Sequence, residues 1–407
     1  MGSCSSSESA DPEEEGEPSS VVVVGEEVDG SSRPDGAVEN GAVHQGAILG
    51  VASAGVDEFA TCGEDKTLRL HNRLGKVGTF RNTLTFGGHT KAVTRATYGA
   101  ATRVMYSCSR DTTIRQWNRS GISALRVFEG HDLACTAMAL SGDEKTLYSG
   151  SRDTSIRAWD VQTGQCTSSA KVPRNLVTCL KCLSGESSSS VAQGGEDLKL
   201  RVWDTRDGGL RPSMTIDGYT FFPLCLDASS DGHQILTSCK GFNGAGCETK
   251  LWDLRSPGIP VREYTGHTQD TTACVFVTLK EEGDDESGPG KGGYSLSPSP
   301  SPSLSASSSR GMIATASKDG SVKIYDLADG SILVDHVEPE CGGYTGLAIQ
   351  RDSRTGAPFF YASTITGGLY ALRLEAKVAT AAQSQTGLQD GGLRLRCVGF
   401  VRGNPIL

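Results

Sequence analysis

The sequence predicts an all-β chain folded as a seven-bladed β-propeller, because one short motif recurs along it at a regular spacing. Every tryptophan is followed by Asn or Asp, and the intervals between them are 42, 44 and 49 residues: Trp117, Trp159, Trp203 and Trp252. An aspartate stands six residues before three of these tryptophans: Asp111, Asp153 and Asp197. A period of about 40 to 45 residues that closes on Trp-Asp is typical of one propeller blade.

Each repeat also contains short alternating runs between turn residues, which is the ordinary signal of β-strands. Asp65 and Asp319 keep the six-residue spacing in two further repeats, to His71 and Tyr325. Counting these positions predicts seven blades within residues 41–401: about 43–86, 87–128, 129–171, 172–215, 216–264, 265–336 and 337–401. The seventh lacks both signature residues, so six or eight blades remain open alternatives.

The sixth repeat holds an insertion of about 30 residues, roughly 281–310, that is rich in Ser, Pro and Gly. Removing it shortens the 73 residues between Trp252 and Tyr325 to about 43, which restores the period. Such a composition predicts a long, disordered surface loop. Three serines in it precede prolines and are candidate phosphorylation sites: Ser297, Ser299 and Ser301. The alternative is a tolerated low-complexity insertion.

Two segments compete to close the ring, since an open edge strand would template aggregation. Residues 393–401 alternate in polarity and are favoured as the outer strand of the last blade. The rival is the apolar run Val21–Val24, which is also able to pair with a sheet edge.

The charge of the chain is concentrated at its N-terminal end. The 407 residues carry 48 acids against 39 Lys and Arg, and residues 1–32 hold nine acids and no base. The rest is therefore neutral, and nothing favours a nucleic-acid partner, which requires a basic surface. Residues 1–40 have too few apolar side chains to offset the entropy of ordering, so we predict a disordered acidic tail.

The first six residues fit the pattern for N-myristoylation, with Gly2 exposed after Met removal and Ser6 at the required place. One myristoyl chain binds membranes only marginally, and this acidic tail would be repelled by an anionic leaflet. A second acyl chain is the remaining way to anchor the protein, which makes Cys4 a candidate for palmitoylation. The alternative is that Cys4 is an ordinary tail cysteine.

Gly-His pairs open three of the predicted blades, at His89, His131 and His267. Each blade then supplies a hydroxyl, an Asp and an aromatic residue at matching positions: Ser107, Asp111 and Trp117; Ser149, Asp153 and Trp159; Thr315, Asp319 and Tyr325. This pattern resembles the WD-repeat family over about residues 43–401. The resemblance implies that the four residues hydrogen-bond in series as a buried structural network rather than a catalytic one. Blades one, four, five and seven depart from the pattern and are expected to be less rigid.

Nothing in the sequence indicates an enzyme, a cofactor or a metal site. Gly241, Gly244 and Gly246 lack the Lys-Ser/Thr that a phosphate loop needs, so an extended glycine hairpin is expected instead. The close pair Cys179 and Cys182 lacks a second pair at zinc-site spacing. Thirteen cysteines without an apolar leader favour a reducing compartment.

The predicted function is that of a membrane-associated cytoplasmic scaffold, a monomer whose partners are other proteins. Within the family, residues 237–255 and 32–35 resemble a cilium-associated member, which implies a role at the cilium or basal body. We expect the binding surface to be the face that carries the Asp turns. The charged residues just before these Asp would ring the central opening: Arg110, Arg152, Lys318, Glu64 and Glu196.

A second function is indicated by two Trp-Asp-x-Arg boxes on consecutive blades, which end at Arg206 and Arg255. Doubled boxes resemble the substrate receptors of a cullin-based ubiquitin ligase, and the resemblance implies that both arginines dock the adaptor. Because Arg after Trp-Asp is common in propellers generally, solvated surface arginines are the alternative.

Overall fold

The computed structural model describes residues 21–22 and 43–401, except for 74–79, 120–122, 173, 186–188, 278–310, 339, 353–355 and 377–392. The predicted all-β, seven-bladed fold is confirmed: the strands of this part of the chain form seven antiparallel sheets that follow one another in sequence. Most of the acidic tail and the Ser/Pro-rich insertion lie outside the described residues.

Blades 1 to 3 each have four strands in sequence order, innermost strand first, and blade 1 has a fifth strand on its outside. Blade 1 has β2 (Ile48–Ser53), β3 (Glu58–Gly63), β4 (Leu68–Arg73) and β5 (Phe80–Phe86), with β1 (Val21–Val22) beside β5. Blade 2 has β6 (Val93–Gly99), β7 (Val104–Ser109), β8 (Ile114–Trp117) and β9 (Ala124–Phe128). Blade 3 has β10 (Cys135–Leu140), β11 (Thr146–Ser151), β12 (Ser155–Asp160) and β13 (Cys166–Lys171).

Blades 4 to 7 repeat the same order. Blade 4 has β14 (Val177–Cys182), β15 (Ser190–Gly195), β16 (Leu200–Asp204) and β17 (Arg211–Ile216). Blade 5 has β18 (Pro223–Ala228), β19 (Gln234–Cys239), β20 (Thr249–Asp253) and β21 (Arg262–Tyr264). Blade 6 has β22 (Thr271–Val277), β23 (Met312–Ser317), β24 (Ser321–Asp326) and β25 (Ile332–Val337). Blade 7 has β26 (Tyr344–Arg351), β27 (Pro358–Thr364), β28 (Leu369–Ala376) and β29 (Leu393–Val401).

Both segments proposed for ring closure pair with a blade, but with different blades. Strand β29 pairs with β28 in the register Leu369↔Val401, so the prediction that the C-terminal segment supplies the outer strand of the last blade is confirmed. Strand β1 instead pairs with β5, with Val22 opposite Phe80, as a fifth strand on the outside of blade 1. Within the described residues, blade 7 is therefore the four-stranded sheet β26 to β29.

The hydrophobic core is divided into wedges between adjacent blades. One cluster joins Phe59 and Phe80 of blade 1 to Tyr361 of blade 7, where the ring closes. Trp117 of blade 2 is buried against blade 1, and Trp203 of blade 4 is buried against blade 3. Because every blade packs both faces against neighbours, its strands are apolar on both sides in the middle of the ring.

Threonines on the innermost strands form a second set of contacts between blades. Each innermost strand has a register shift near its start, and in five blades the residue at the shift is a threonine: Thr94, Thr136, Thr178, Thr272 and Thr345. Each hydroxyl donates to a backbone carbonyl of the next blade, for example Thr136 to Val177 at 2.5 Å. The last of them, Thr345, donates to Ile48 at 2.5 Å and so joins blade 7 to blade 1.

Candidate partner-binding face

The Asp turns lie on one side of the ring, because the turns between second and third strands and the connections between blades all emerge there. In blade 2, Asp111 accepts hydrogen bonds from the Thr113 backbone N at 3.0 Å and from the Thr113 hydroxyl at 2.7 Å. It also accepts from the Thr90 backbone N at 2.9 Å, on the segment that enters the blade. One carboxylate thus fixes both the turn and the adjoining connection.

Blades 2 and 3 contain the full series of four residues. In blade 2, Trp117 Nε1 donates to Ser107 Oγ at 2.8 Å, and Ser107 is bonded to His89 Nε2 at 2.9 Å. His89 Nδ1 lies 2.8 Å from Asp111. Since Trp Nε1 only donates, Ser107 directs its own proton to Nε2 and Nδ1–H donates to the carboxylate. In blade 3, Trp159 Nε1 donates to Ser149 Oγ at 2.7 Å, and Ser149 Oγ lies 2.7 Å from His131 Nε2. His131 Nδ1 lies 2.8 Å from Asp153.

Blade 6 keeps three members of this series and changes the fourth. His267 lies 3.0 Å from Asp319 through Nδ1 and 2.8 Å from Thr315 through Nε2. The Tyr325 hydroxyl, however, donates to the Thr265 backbone carbonyl at 3.0 Å. The phenol reaches past the position of an indole N–H, so it joins the blade to the segment that enters it.

Blade 1 lacks the Gly-His pair and the Trp of the pattern, but its residues still form a hydrogen-bonded series. His44 lies 2.8 Å from Asp65 and 2.9 Å from Thr61, and Thr61 is bonded to His71 Nε2 at 2.8 Å. His71 takes the place of Trp, and its burial lowers its pKa well below the ordinary value. Sequence reasoning missed His44 because no Gly precedes it. The available signal was its spacing of 21 residues to Asp65, against 22 in blades 2 and 3.

Blade 4 replaces the hydroxyl and the imidazole by two amides. Trp203 Nε1 donates to Gln193 Oε1 at 2.6 Å. With the Asn175 amide oriented to satisfy its neighbours, its oxygen accepts from Gln193 Nε2 at 2.7 Å and its nitrogen donates to Asp197 at 3.0 Å. An amide carries both a donor and an acceptor, so the series from Trp to Asp is complete in different chemistry. Asn175 occupies the position where the sequence shows Pro173-Arg-Asn instead of Gly-His.

Blades 5 and 7 lack the series in the described residues. In blade 5, Tyr219 takes the place of His and donates to Thr237 at 3.1 Å, and Trp252 Nε1 lies 3.2 Å from the same hydroxyl. No Asp follows at the turn, as the sequence predicts. In blade 7 the buried hydroxyls of Tyr344 and Tyr361 find no hydrogen-bond partner in that part of the chain.

The hydrogen-bond networks lower the pKa of their aspartates. Burial alone would raise the pKa of Asp111, but hydrogen bonds from His89, Thr113 and Thr90 outweigh it and hold the pKa below its ordinary value. The same balance lowers the pKa of Asp153 and Asp319. In blade 1 it lowers the pKa of Asp65 to about 2. These carboxylates are therefore ionised acceptors at neutral pH.

Seven residues, one in each blade, occupy equivalent positions on the Asp-turn face and are called the ring of seven. Each is the first residue of the turn after the second strand, and its backbone N donates to the connection that enters the same blade, as Arg110 does to Ala92 at 2.9 Å. The seven are Glu64, Arg110, Arg152, Glu196, Lys240, Lys318 and Ile365. Sequence reasoning named five of them. Lys240 and Ile365 were missed because no Asp follows them.

Ion pairing differs around this ring of seven. Arg110 lies 4.0 Å from Glu64, and Lys318 is bonded to Asp270 at 2.8 Å. Arg152, Lys240 and Glu196 are exposed and form no ion pair within the described residues. The structure therefore places Arg110 and Arg152 on adjacent blades, with Arg152 free to meet an anion and Arg110 partly engaged.

The two box arginines lie on the opposite face, in the turns after the third strands of blades 4 and 5. Arg206 is 75% exposed and binds Asp204, with Nε at 2.9 Å from Oδ2. Arg255 is 64% exposed and binds Asp253 in the same way, with Nη2 at 2.7 Å. The arginine of each box thus folds back on its own Asp, and the two guanidinium groups are presented alike on neighbouring blades.

Several residues named from the sequence lie outside the described residues: Gly2, Cys4, Ser297, Ser299 and Ser301. Among the described residues, no group of three His, Cys, Asp or Glu is placed to hold a metal ion. Their cysteines are free thiols, with Cys179 buried and Cys182 half-buried on β14. The same residues include no helix long and apolar enough to span a membrane.

Three segments match the family model for the WD domain, G-beta repeat: residues 80–118, 122–160 and 294–326. The protein is thus a seven-bladed β-propeller in which three segments are similar to WD repeats. The third match runs across the Ser/Pro-rich insertion into blade 6.

The chain is similar to parts of several curated proteins. It is 29% identical over 143 residues to nuclear distribution protein PAC1 of Gibberella zeae, covering 35% of this chain and 25% of that one. It is 30% identical over 195 residues to the ribosome biogenesis protein WDR12 homolog of Oryza sativa subsp. japonica, covering 47% of this chain and 33% of that one. The chain thus spans a third or less of the length of these relatives.

Proposed function

We propose that the protein is a non-enzymatic protein–protein interaction scaffold that binds partners on its Asp-turn face. The observation that carries this proposal is the ring of seven exposed residues, held by equivalent backbone hydrogen bonds at the turns of all seven blades. Rigid turns that display varied side chains around one opening suit the recognition of other proteins, because little entropy is lost when they bind. WD repeats in three segments support the same role.

We further propose that the scaffold is tethered to a membrane by acylation of Gly2 and Cys4. The myristoylation pattern supports the first site, and the acidic tail supports the need for a second acyl chain. The resemblance of residues 237–255 and 32–35 to WD repeat-containing protein 31 supports a ciliary membrane as the destination.

Fractionation of cells tests the tether directly. Wild type and a matched Ser5→Ala control are expected in the membrane fraction, while Gly2→Ala and Cys4→Ser proteins are expected in the cytosol. Retention of Cys4→Ser on membranes would refute the two-chain anchor. A wild-type protein that is already cytosolic would refute the tether as a whole, and leave the binding face to be tested by itself.

The second candidate is a substrate receptor of a cullin-based ubiquitin ligase. It is supported by the matched exposure of Arg206 and Arg255 on consecutive blades. Pull-down with the ligase adaptor should succeed with wild type and fail with the Arg206→Ala, Arg255→Ala double variant. An Arg110→Ala, Arg152→Ala protein is the matched control on the other face, and equal loss in both would count against the boxes.

A further inference from the structure

The turn of blade 5 differs from all other turns of the Asp-turn face. It runs through residues 240–248, nine residues between β19 and β20, where the other blades use three or four. It presents Phe242 with 69% of its surface exposed. A large exposed aromatic side chain on an ordered turn is unusual for solvent-facing surface and typical of the centre of an interface.

The long turn is held in one conformation by hydrogen bonds within itself and to blade 6. Phe242 and Ala245 exchange backbone bonds of 2.9 and 3.1 Å, and the Gly244 backbone N donates to Thr268 at 3.1 Å. The Gly241 backbone N donates to the buried Asp270 carboxylate at 3.0 Å. The phenyl ring is thus exposed on a scaffold that is already ordered, which lowers the entropy lost on binding.

Close packing explains one of the glycines in this turn. Gly246 has a φ of +76°, and a Cβ there would lie 1.9 Å from the Phe221 ring. Any larger residue would push the turn away from Phe221 and move Phe242 with it. Gly246 therefore serves the placement of an aromatic side chain rather than the binding of a phosphate.

The charge beside Phe242 is positive. Lys240 lies over the Phe222 ring, with Nζ 5.0 Å from the ring centroid, and forms no ion pair in the described part of the chain. The one carboxylate within the same turn, Glu248, is paired with Lys250 at 3.5 Å, so the unpaired charge of this turn is that of Lys240.

We propose that Phe242 and Lys240 form the centre of a binding site for a short acidic peptide segment of a partner protein. An apolar side chain of the peptide packs on Phe242, and a neighbouring Asp or Glu pairs with Lys240. Charge complementarity with the unpaired Lys240 selects this occupant over a basic one. This inference rests on the proposed scaffold function and places it at one site.

A display library of random twelve-residue peptides, selected against the full-length protein, tests the chemistry of the occupant. Selected peptides are expected to carry Asp or Glu next to Leu, Ile or Phe. Their affinity, measured by fluorescence anisotropy, should fall as salt is raised from about 50 mM to about 500 mM, because exposed charge pairs are screened. Selected peptides without acidic residues would overturn the proposal.

Variants test the site itself. Phe242→Ala and Lys240→Glu should each weaken the binding of a selected peptide at least tenfold while leaving the thermal unfolding midpoint unchanged. Ile259→Ala is the matched control, since Ile259 is 81% exposed in the same blade but on the opposite face. It should change the Kd less than twofold.

The remaining outcomes separate this site from the proposed function. Acidic peptides that bind Phe242→Ala as tightly as wild type, but lose affinity with Arg110→Ala and Arg152→Ala, would overturn this site and leave the scaffold function standing. A selection that yields nothing above background would overturn both. Self-association of wild type that disappears in Phe242→Ala, seen by sedimentation, would make a second copy the occupant and also overturn the acidic peptide.

Discussion

Blades 3 and 5 occupy equivalent places in the ring but stabilise their turns in opposite ways. In blade 3, His131 and Asp153 tie a three-residue turn to the core, and every polar group of the series has a partner. In blade 5, Tyr219 replaces the imidazole, the Asp is absent, and a nine-residue turn instead docks on blade 6. The comparison shows that the buried network is one way to fix a turn, and that a turn freed from it can display a side chain.

The largest effect is expected where the network is complete. Asp153→Ala removes the acceptor for His131, Ser155 and the exposed Asp132 backbone N, and leaves the His131 ring and the Ser155 hydroxyl as buried donors. We expect a loss of about 3 kcal/mol in the free energy of unfolding. Urea unfolding measures it, with Glu196→Ala as the exposed control that should cost less than about 0.5 kcal/mol. Equal losses in the two variants would contradict a stabilising network.

Lowering the pH should destabilise the blades whose networks contain an aspartate with a lowered pKa. The lowered pKa of Asp65, Asp111, Asp153 and Asp319 means that their ionised forms stabilise the folded state. That contribution is fully present above the unfolded pKa of about 4 and is lost as pH falls through the folded values, near 2 or below. Thermal unfolding between pH 5 and pH 2 should show the loss. Asp153→Asn should flatten this dependence, and an unchanged slope would rule out Asp153 as a contributor.

In blade 5 the corresponding change should be milder. Tyr219→Phe removes one neutral hydrogen bond of 3.1 Å to Thr237, which keeps Trp252 as a partner. We expect a loss of about 1 kcal/mol, the usual net value of such a bond. A loss as large as that of Asp153→Ala in the same urea experiment would mean that blade 5 depends on its polar contacts as blade 3 does.

The smallest effect is expected from the contacts between blades. Thr136→Val keeps the shape of the side chain and removes the hydroxyl that donates to Val177. Since the Val177 carbonyl oxygen has a second lone pair for other partners, the loss in the free energy of unfolding should be about 0.5–1 kcal/mol. Thr215→Val, on the exposed outer strand β17 of blade 4, is the control for replacing a threonine hydroxyl by a methyl group. A change in the denaturant slope without a change in midpoint would point to altered cooperativity instead.

The propeller and the networks of blades 2 and 3 follow from local sequence, because the residues that define them recur at a fixed spacing. His44, Asn175 and Gln193 escaped that reasoning, since each performs the same hydrogen bonding with a different residue or without a preceding Gly. The exposure of Phe242 was not predictable at all. It depends on bonds to residues about 25 positions away in blade 6, and pairing across that distance leaves no local pattern.

The threonine contacts carry a consequence for synthesis of the chain. The hydroxyl of Thr345 meets a carbonyl 297 residues earlier, so the first blade emerges from the ribosome long before its partner exists. Until residues 344–401 follow, the face of blade 1 formed by Phe59 and Phe80 has no cover. Premature termination in the last blade therefore leaves an apolar flank open on the first one. Truncated chains should be recognised by chaperones and proteases through their N-terminal blade, far from the site of the break.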